Sequence, residues 1–441
     1  MAAYGIPGVA VGVLYGGREY LKGYGVTNVD HPRAVDPDTV FRVGSTTKVF
    51  TGTAVMRLVE QGKLNLNARV RRYLPEFRSC DPEVAARVTL GQLLRHTPGW
   101  LGNCFLDAGR GENALARYVK GMVRLPQLTP PGTQFFYNNA GICLAGRVIE
   151  VVTGKTYEAA VRSLVLDPLR LAHSRFFSDE IIGFNVAASH KLDGEKPVVE
   201  PSLWEMPRSL NSTGGLISSV RDQLGFARFH LGDGRAPGGK RLLTPRSLKR
   251  MRSHPGPGGT LVVELDGMGV TWQLRPSRQR VRIVQHGGDW PGQHSGLMIV
   301  PDRGFALTAL TNSVGGPALI QALFDDDWAL RTFAGLNNLP AMTQVLSRRE
   351  LAAYEGRYEA EMIMPDGAMT NTVYELRADR GYLSVTNGST VVARLDFYRR
   401  DYALVLDESG RPQGGRCNFV RDAEGCVNWW LFQAAPYRHD R

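Results

Sequence analysis

The chain has 441 residues, 43% hydrophobic and 22% charged, with 53 Lys and Arg against 42 Asp and Glu for a net charge of +11. These values belong to an ordinary folded protein and exclude disorder, collagen and coiled coil; at roughly 100–200 residues per domain the length allows more than one domain. No apolar run reaches the about 18 residues that a spanning helix needs, so no membrane role is expected.

Pro7 to Tyr15 and Arg18 to Tyr24, separated by Gly16-Gly17, read as two strands joined by a tight turn. Phe50, Ala54 and Leu58, with Val55 and Val59 beside them, follow helical spacing and predict a buried helix from Ser45 to Gln61, closed by Gly62. Ala140 to Val152 repeats that spacing, with Asn139 in the capping position and Gly154 as the stop. Val281 to Gln285, Gly296 to Val300 and Phe305 to Asn312 read as strands, and the Gly- and Pro-rich His286 to Ser295 as a loop. Strands at both ends of this region with helices between them predict an α+β domain whose terminal segments share one sheet. From about Leu351 short alternating segments take over: Gly356 to Glu361, Thr372 to Arg377, Tyr382 to Thr386, Val391 to Tyr398, Tyr402 to Leu406, Arg416 to Arg421 and Val427 to Phe432. Turns rich in Asp and Gly separate them, which predicts a small antiparallel β-barrel or sandwich. The boundary is placed between 333 and 350, giving domains at 1–340 and 346–441.

The N-terminus has no basic n-region ahead of an apolar stretch, so a cytoplasmic location is expected for the chain as written. Cys80, Cys104, Cys143, Cys417 and Cys426 form no C-x-x-C pair, which points to a reducing compartment rather than a disulfide framework or a zinc site. The histidines form no H-E-x-x-H, and no metal or cofactor is expected. Basic residues cluster only briefly, at Arg69 to Arg72 and Arg246 to Arg252, without a zinc-finger or RNA-recognition motif. The excess reads as a solvated arginine-rich surface, with no nucleic-acid partner. No lysine follows Lys249.

Chemistry concentrates at three places. Ser45-Thr-Thr-Lys48 sets a hydroxyl and an amine three residues apart on one helix face, and it is the chain's one S-x-x-K. A serine becomes a nucleophile when an adjacent base takes its proton, and a lysine can be that base if desolvation lowers its pKa by roughly 3. Tyr137-Asn138-Asn139 offers a phenol to pass a proton and an amide, Asn139, to orient a carbonyl or hold Lys48. His286-Gly287-Gly288 could lay a substrate against bare backbone with the imidazole facing the site. His254-Pro-Gly256 and His294-Ser-Gly296 also fit H-x-G, but His286 is preferred because it follows a strand. Ser295 lies one residue off the G-x-S-x-G spacing and is discounted as a nucleophile. Trp204, Trp290 and His96 are assigned to core packing before a pocket lining.

In this order S-x-x-K, Y-x-N and H-x-G resemble the serine β-lactamase and penicillin-binding-protein superfamily, on the class C side with its esterases, D-aminopeptidases and D,D-peptidases. Phe41-Arg-Val-Gly-Ser45, Leu93-Leu-Arg-His96-Thr-Pro-Gly99, Pro131-Gly132, Thr213-Gly-Gly-Leu and Gly296-Leu-Met-Ile-Val-Pro301 extend the resemblance over most of the chain. The resemblance implies an α/β sandwich with a helical lobe, a C-terminal lipocalin-like barrel, and an acyl-enzyme on Ser45. Lys48 and Tyr137 would share base work, Asn139 would orient, and His286 would take the third-motif place. The backbone N–H groups of Ser45 and Asp289 would form the oxyanion hole, beside Gly287 and Gly288. A β-lactamase of this kind generally carries K-T-G, which is absent, so the peptidase and esterase branch is favoured. Relatives also generally carry a helix ahead of the first strand, so Met1 could be an internal start.

Three functions follow: a hydrolase of small esters or amides including D-configured peptides, a thioesterase that cyclises nonribosomal peptides from a carrier-protein or peptide thioester donor, and a non-catalytic acyl or β-lactam sensor. The first is preferred, because a binder has no use for a complete general-base apparatus.

Overall fold

The computed structural model describes residues 1–253, 256–324 and 327–440. His254, one of the three H-x-G candidates, lies outside them. Gly16 and Gly17 both take positive φ, 56° and 76°, and so turn β1 (Gly8–Tyr15) tightly into β2 (Arg18–Gly25). Later in the chain come β3 (Gly267–Met268), β4 (Gln273–Arg275), β5 (Ile283–Trp290), β6 (Gln293–Val300) and β7 (Phe305–Thr311). They complete a seven-stranded sheet in the order β2-β1-β7-β6-β5-β4-β3. β1 lies antiparallel to β7, Val9 opposite Thr311 and Leu14 opposite Ala306, so the two ends of the domain share one sheet as expected.

Every residue of β6 and β7 is buried, because helices cover both faces. Leu297, Ile299, Ala306 and Leu310 join the larger core with α1 (Thr47–Glu60), α2 (Asn139–Thr153) and α3 (Val220–Leu231). Met298, Val300, Phe305 and Leu307 face the other way, against Phe324 of α4 (Gly316–Phe324) and Leu330. This period-2 split between two apolar layers is what a doubly covered sheet requires.

Three local expectations need correction. The segment expected as a loop from His286 to Ser295 is a hairpin in which only Pro291 and Gly292 lie outside the strands. Gly288 belongs to the strand, where the neighbouring backbone leaves no space for a side chain. α1 does not begin at Ser45; a 3-10 turn over Gly44–Thr46 precedes it. The cap of α2 is Asn138, whose side chain accepts from the Gly141 N–H at 2.8 Å, and Asn139 is the first helical residue. Gly154 does end that helix, in the left-handed conformation.

The C-terminal strands are β8 (Gly356–Ile363), β9 (Met369–Asp379), β10 (Tyr382–Asn387), β11 (Thr390–Arg399), β12 (Tyr402–Leu406), β13 (Pro412–Arg421), β14 (Val427–Phe432) and β15 (Ala435–Asp440). They form a closed antiparallel barrel in which β15 returns to β8. The last strand has no counterpart in the sequence reading, because the turn before it uses Gln433 and Ala434 at positive φ (48° and 63°) rather than glycine or asparagine. Tyr358, Phe397, Phe419, Trp430 and Tyr437 fill the interior as a packed core. The barrel docks on the first domain at two places near the site. Phe105 N–H donates to the Ile363 carbonyl at 2.8 Å, and Phe136 packs on Trp429 with ring centroids 5.1 Å apart.

Candidate active site

Ser45 sits in the 3-10 turn that leads into α1, and this turn is held from the sheet side. Ser295 Oγ on β6 donates to the Val43 carbonyl at 2.7 Å and lies 2.8 Å from Thr46 Oγ1. Gly44 takes a φ of 50° and a Cβ there would come within 2.7 Å of the Asp289 nitrogen. A Cβ on Gly288 would lie 1.9 Å from the Val43 oxygen and 2.6 Å from the Ser45 nitrogen, so only glycine fits. Gly287 differs: the nearest atom to its Cβ position is 3.5 Å away.

The strand edge beside Ser45 is open. β4 pairs with β5 only as far as Gln285, leaving His286 to Trp290 without a paired strand on that side among the described residues. Trp290 and Gln293 flank a two-residue loop and form a hydrogen-bonded pair, so by alternation Asp289, opposite His294, turns its N–H away from β6 towards the open edge.

Lys48 is fully buried on the first turn of α1, and its Nζ donates to Ser45 Oγ and to the Thr213 carbonyl, each at 2.8 Å. Burial depresses its pKa to about 7, with Cys143 and Asp289 acting the other way. Burial also pushes the Cys143 thiol up to about 12, so it is uncharged at neutral pH and Asp289 is the one anion opposing the desolvation of Lys48. An amine of this kind, neutral about half the time at pH 7, can accept a proton from the hydroxyl it touches.

Tyr137 precedes α2, with its ring centroid 4.9 Å from Lys48 Nζ. Burial raises the phenol pKa well above its ordinary value, and contact with Ser45 opposes the shift, so the group stays protonated and can donate. Its ring stacks on His96, 4.6 Å between centroids at 19°. His96 is fully buried, and its Nδ1 accepts from the Asn138 N–H at 2.8 Å. His96 is thus a packing residue, as the sequence reading preferred, but one that sets the plane of the Tyr137 ring. Trp204 lies outside this group, under the Arg42 guanidinium at 4.9 Å.

His286 is within β5 rather than after a strand. Its Nδ1 donates to the Gly287 carbonyl at 2.6 Å, and Nε2 is buried without a partner among the described residues. Burial and the nearby Lys48 hold its pKa down to about 3, so the ring is neutral and Nε2 is an acceptor. Asn139 Oδ1 accepts from Thr213 Oγ1 at 2.9 Å, while the Thr213 carbonyl takes Lys48. Asn139 and Lys48 are therefore joined through Thr213, not directly. Thr213 and Ser295 are the two residues whose parts the sequence did not reveal. Thr213 acts chiefly through its carbonyl, which no side-chain pattern announces.

Ser45, Lys48, Tyr137, His286 and the backbone of Asp289 are thus gathered at one junction of helix, loop and sheet edge. The Beta-lactamase family model matches residues 1–328. The chain belongs to the beta-lactamase family. Among curated members and relatives it is 36% identical over 361 residues to penicillin-binding protein 4 of Amycolatopsis lactamdurans, covering 81% of this chain and 94% of that protein. Among solved structures, SurE aligns with a TM-score of 0.76 at 28% identity over 99% of this chain and 96% of its own. SurE with D-Leu aligns at 0.74 and 27% identity, again over 99% and 96%. The class C β-lactamase of Rhodobacter sphaeroides shares the fold, with a TM-score of 0.60, 24% identity and coverage of 73% of this chain and 94% of its own. At the level these likenesses carry, the chain is a serine hydrolase of the β-lactamase and penicillin-binding-protein superfamily.

Proposed function

We propose that the protein is an acyl-enzyme hydrolase of small esters and amides, peptides with a D-residue at the acyl position included. The observation that carries this reading is the buried Lys48 amine, with a pKa near 7, at 2.8 Å from Ser45 Oγ. The neutral amine takes the hydroxyl proton as Ser45 Oγ attacks the carbonyl carbon. The resulting oxyanion accepts from the N–H groups of Ser45 and Asp289, and the N-terminal end of α1 favours the charge. Tyr137 hands a proton to the leaving group and is resupplied from Lys48. A water molecule then gives its proton to the Lys48 amine and attacks the ester carbonyl, and Ser45 leaves as the alcohol by taking that proton back from the Lys48 ammonium, which releases the acid product.

Asn139 Nδ2 has no partner among the described residues and is the amide donor for a substrate carbonyl along the open edge of β5. The solved structure of SurE with D-Leu favours a D-configured residue in the substrate here. In place of a lysine on β5 the chain has the neutral His286, which gives a β-lactam carboxylate no cation to anchor it.

A screen over a p-nitrophenyl ester, a D-amino-acid amide, a chromogenic cephalosporin and a peptide thioester, each with wild type and Ser45→Ala, tests the reading. Ser45-dependent turnover of the ester or amide with slow cephalosporin turnover is expected. Rapid cephalosporin hydrolysis, or ester turnover that survives Ser45→Ala, would contradict it. A cyclic product from the thioester would reassign the acceptor, and a persistent adduct without turnover would make the protein a sensor.

A further inference from the structure

We infer that the Asp289 carboxylate is a binding site for a cationic amine on the substrate, and that the site discriminates against a carboxylate beside the scissile carbonyl. The inference rests on the acyl-enzyme reading and narrows its substrate class.

Asp289 does two separate things. Its backbone lies against Gly44, the residue before Ser45. Its side chain is 79% exposed at the open rim, with Oδ1 accepting from His294 Nδ1 at 2.8 Å. His294 itself is confined, since a Cβ on Gly316 would come within 2.6 Å of its ring, so the carboxylate is held in place while Oδ2 has no partner among the described residues. An anchored carboxylate with one free oxygen, on the residue whose backbone packs against the Gly44 turn beside Ser45, is an acceptor for an ammonium group.

His286 supplies an independent observation. It is 1% exposed, its one N–H is used by the Gly287 carbonyl, Nε2 has no partner among the described residues, and the ring centroid lies 6.2 Å from that of Tyr137. The open edge of β5 therefore offers the exposed Asp289 carboxylate, with the neutral, buried His286 behind it, where a carboxylate-binding site would offer a cation. Once Lys48 is neutral and ready to act as base, Asp289 is, among the described residues, the charge that bears on Lys48, Tyr137 and His286 together. A substrate carboxylate here would meet a like charge; an ammonium group would meet a complementary one.

The test uses three meta-substituted phenylboronic acids, bearing aminomethyl, methyl or carboxyl, which form reversible adducts with a nucleophilic serine. Inhibition constants are measured against p-nitrophenyl ester turnover. In wild type the aminomethyl compound should bind about tenfold tighter than the methyl compound and the carboxyl compound about tenfold weaker, the size of one charge-assisted contact at an exposed rim. Asp289→Asn, which keeps an oxygen for His294, should collapse the spread to about threefold or less. Asp289→Ser serves if that variant folds poorly. Each comparison is a ratio within one variant, so a general loss of activity cancels. Equal constants in wild type, or a spread that persists in both variants, would overturn the inference and leave the acyl-enzyme reading standing. No inhibition by any of the three would contradict Ser45 as nucleophile and overturn both.

Discussion

Ser295 Oγ donates to the Val43 carbonyl across 2.7 Å, so the central sheet holds the turn that carries Ser45. Its proton being committed there, the 2.8 Å contact with Thr46 has Thr46 as donor. Ser295→Ala removes one donor from the Val43 oxygen, which keeps the Thr46 N–H at 3.2 Å, and leaves the Thr46 hydroxyl only the His286 carbonyl at 3.4 Å. It is expected to cost about 1 kcal/mol in urea unfolding and to lower kcat more than it changes KM. Labelling of Ser45 by a fluorophosphonate should persist, slowed.

Lys48 makes the protein less stable near and below neutral pH. Depression of its pKa from 10.5 to about 7 represents roughly 5 kcal/mol of disfavoured charge in the folded state. Between those two values the unfolded chain binds the extra proton, so this residue makes stability rise with pH from about 7 to about 10. Lys48→Met should abolish turnover and raise stability at pH 7 by about 2 kcal/mol, after the loss of two hydrogen bonds. The gain should shrink as pH approaches 10. In the wild type, kcat/KM should rise with pH through an apparent pKa near 7.

Tyr137 is a protonated donor against Ser45, packed between His96 and Lys48. Tyr137→Phe keeps the stacking and removes the hydroxyl. It is expected to lower kcat by about 10²–10⁴ with thermal unfolding nearly unchanged. Amides should suffer more than activated esters, whose leaving groups need no proton.

Trp429 on the barrel reaches the site through one neighbour. It clamps Phe136, whose N–H donates to the His96 carbonyl at 3.1 Å, and Tyr137 is the next residue. Trp429→Ala should cost about 3 kcal/mol or more and lower kcat several-fold. Trp429→Phe, which keeps an aromatic against Phe136, should restore most of both. Equal kcat in all three proteins would make the barrel irrelevant to the chemistry.

What could be read from residues alone was side-chain pattern. Ser45, Lys48 and Tyr137 sit in short motifs whose spacing states their chemistry, and the hairpin at Gly16-Gly17 and the stop at Gly154 each have a residue suited to positive φ. The misreadings share a cause. Gly288 looks like a loop residue because nothing local says that the turn at Val43 to Ser45 will press on that strand. Asn138 and Asn139 are chemically equal candidates for a cap, and the choice depends on Trp100 and His96, which contact Asn138 from far along the chain. The strand Ala435–Asp440 follows a turn without glycine, and tertiary pairing with Arg357 to Glu359 fixes it. Thr213 acts through its own backbone carbonyl and Ser295 by holding the Val43 carbonyl, roles that leave no motif.

The most direct measurement is a stopped-flow burst with a p-nitrophenyl ester, followed by intact mass and peptide mapping of the trapped protein. One equivalent of p-nitrophenol per chain and an acyl adduct on the peptide containing Ser45, both absent in Ser45→Ala, are expected. An adduct on another residue, or steady turnover by Ser45→Ala with no adduct at all, would contradict the assignment of Ser45 as the nucleophile activated by Lys48.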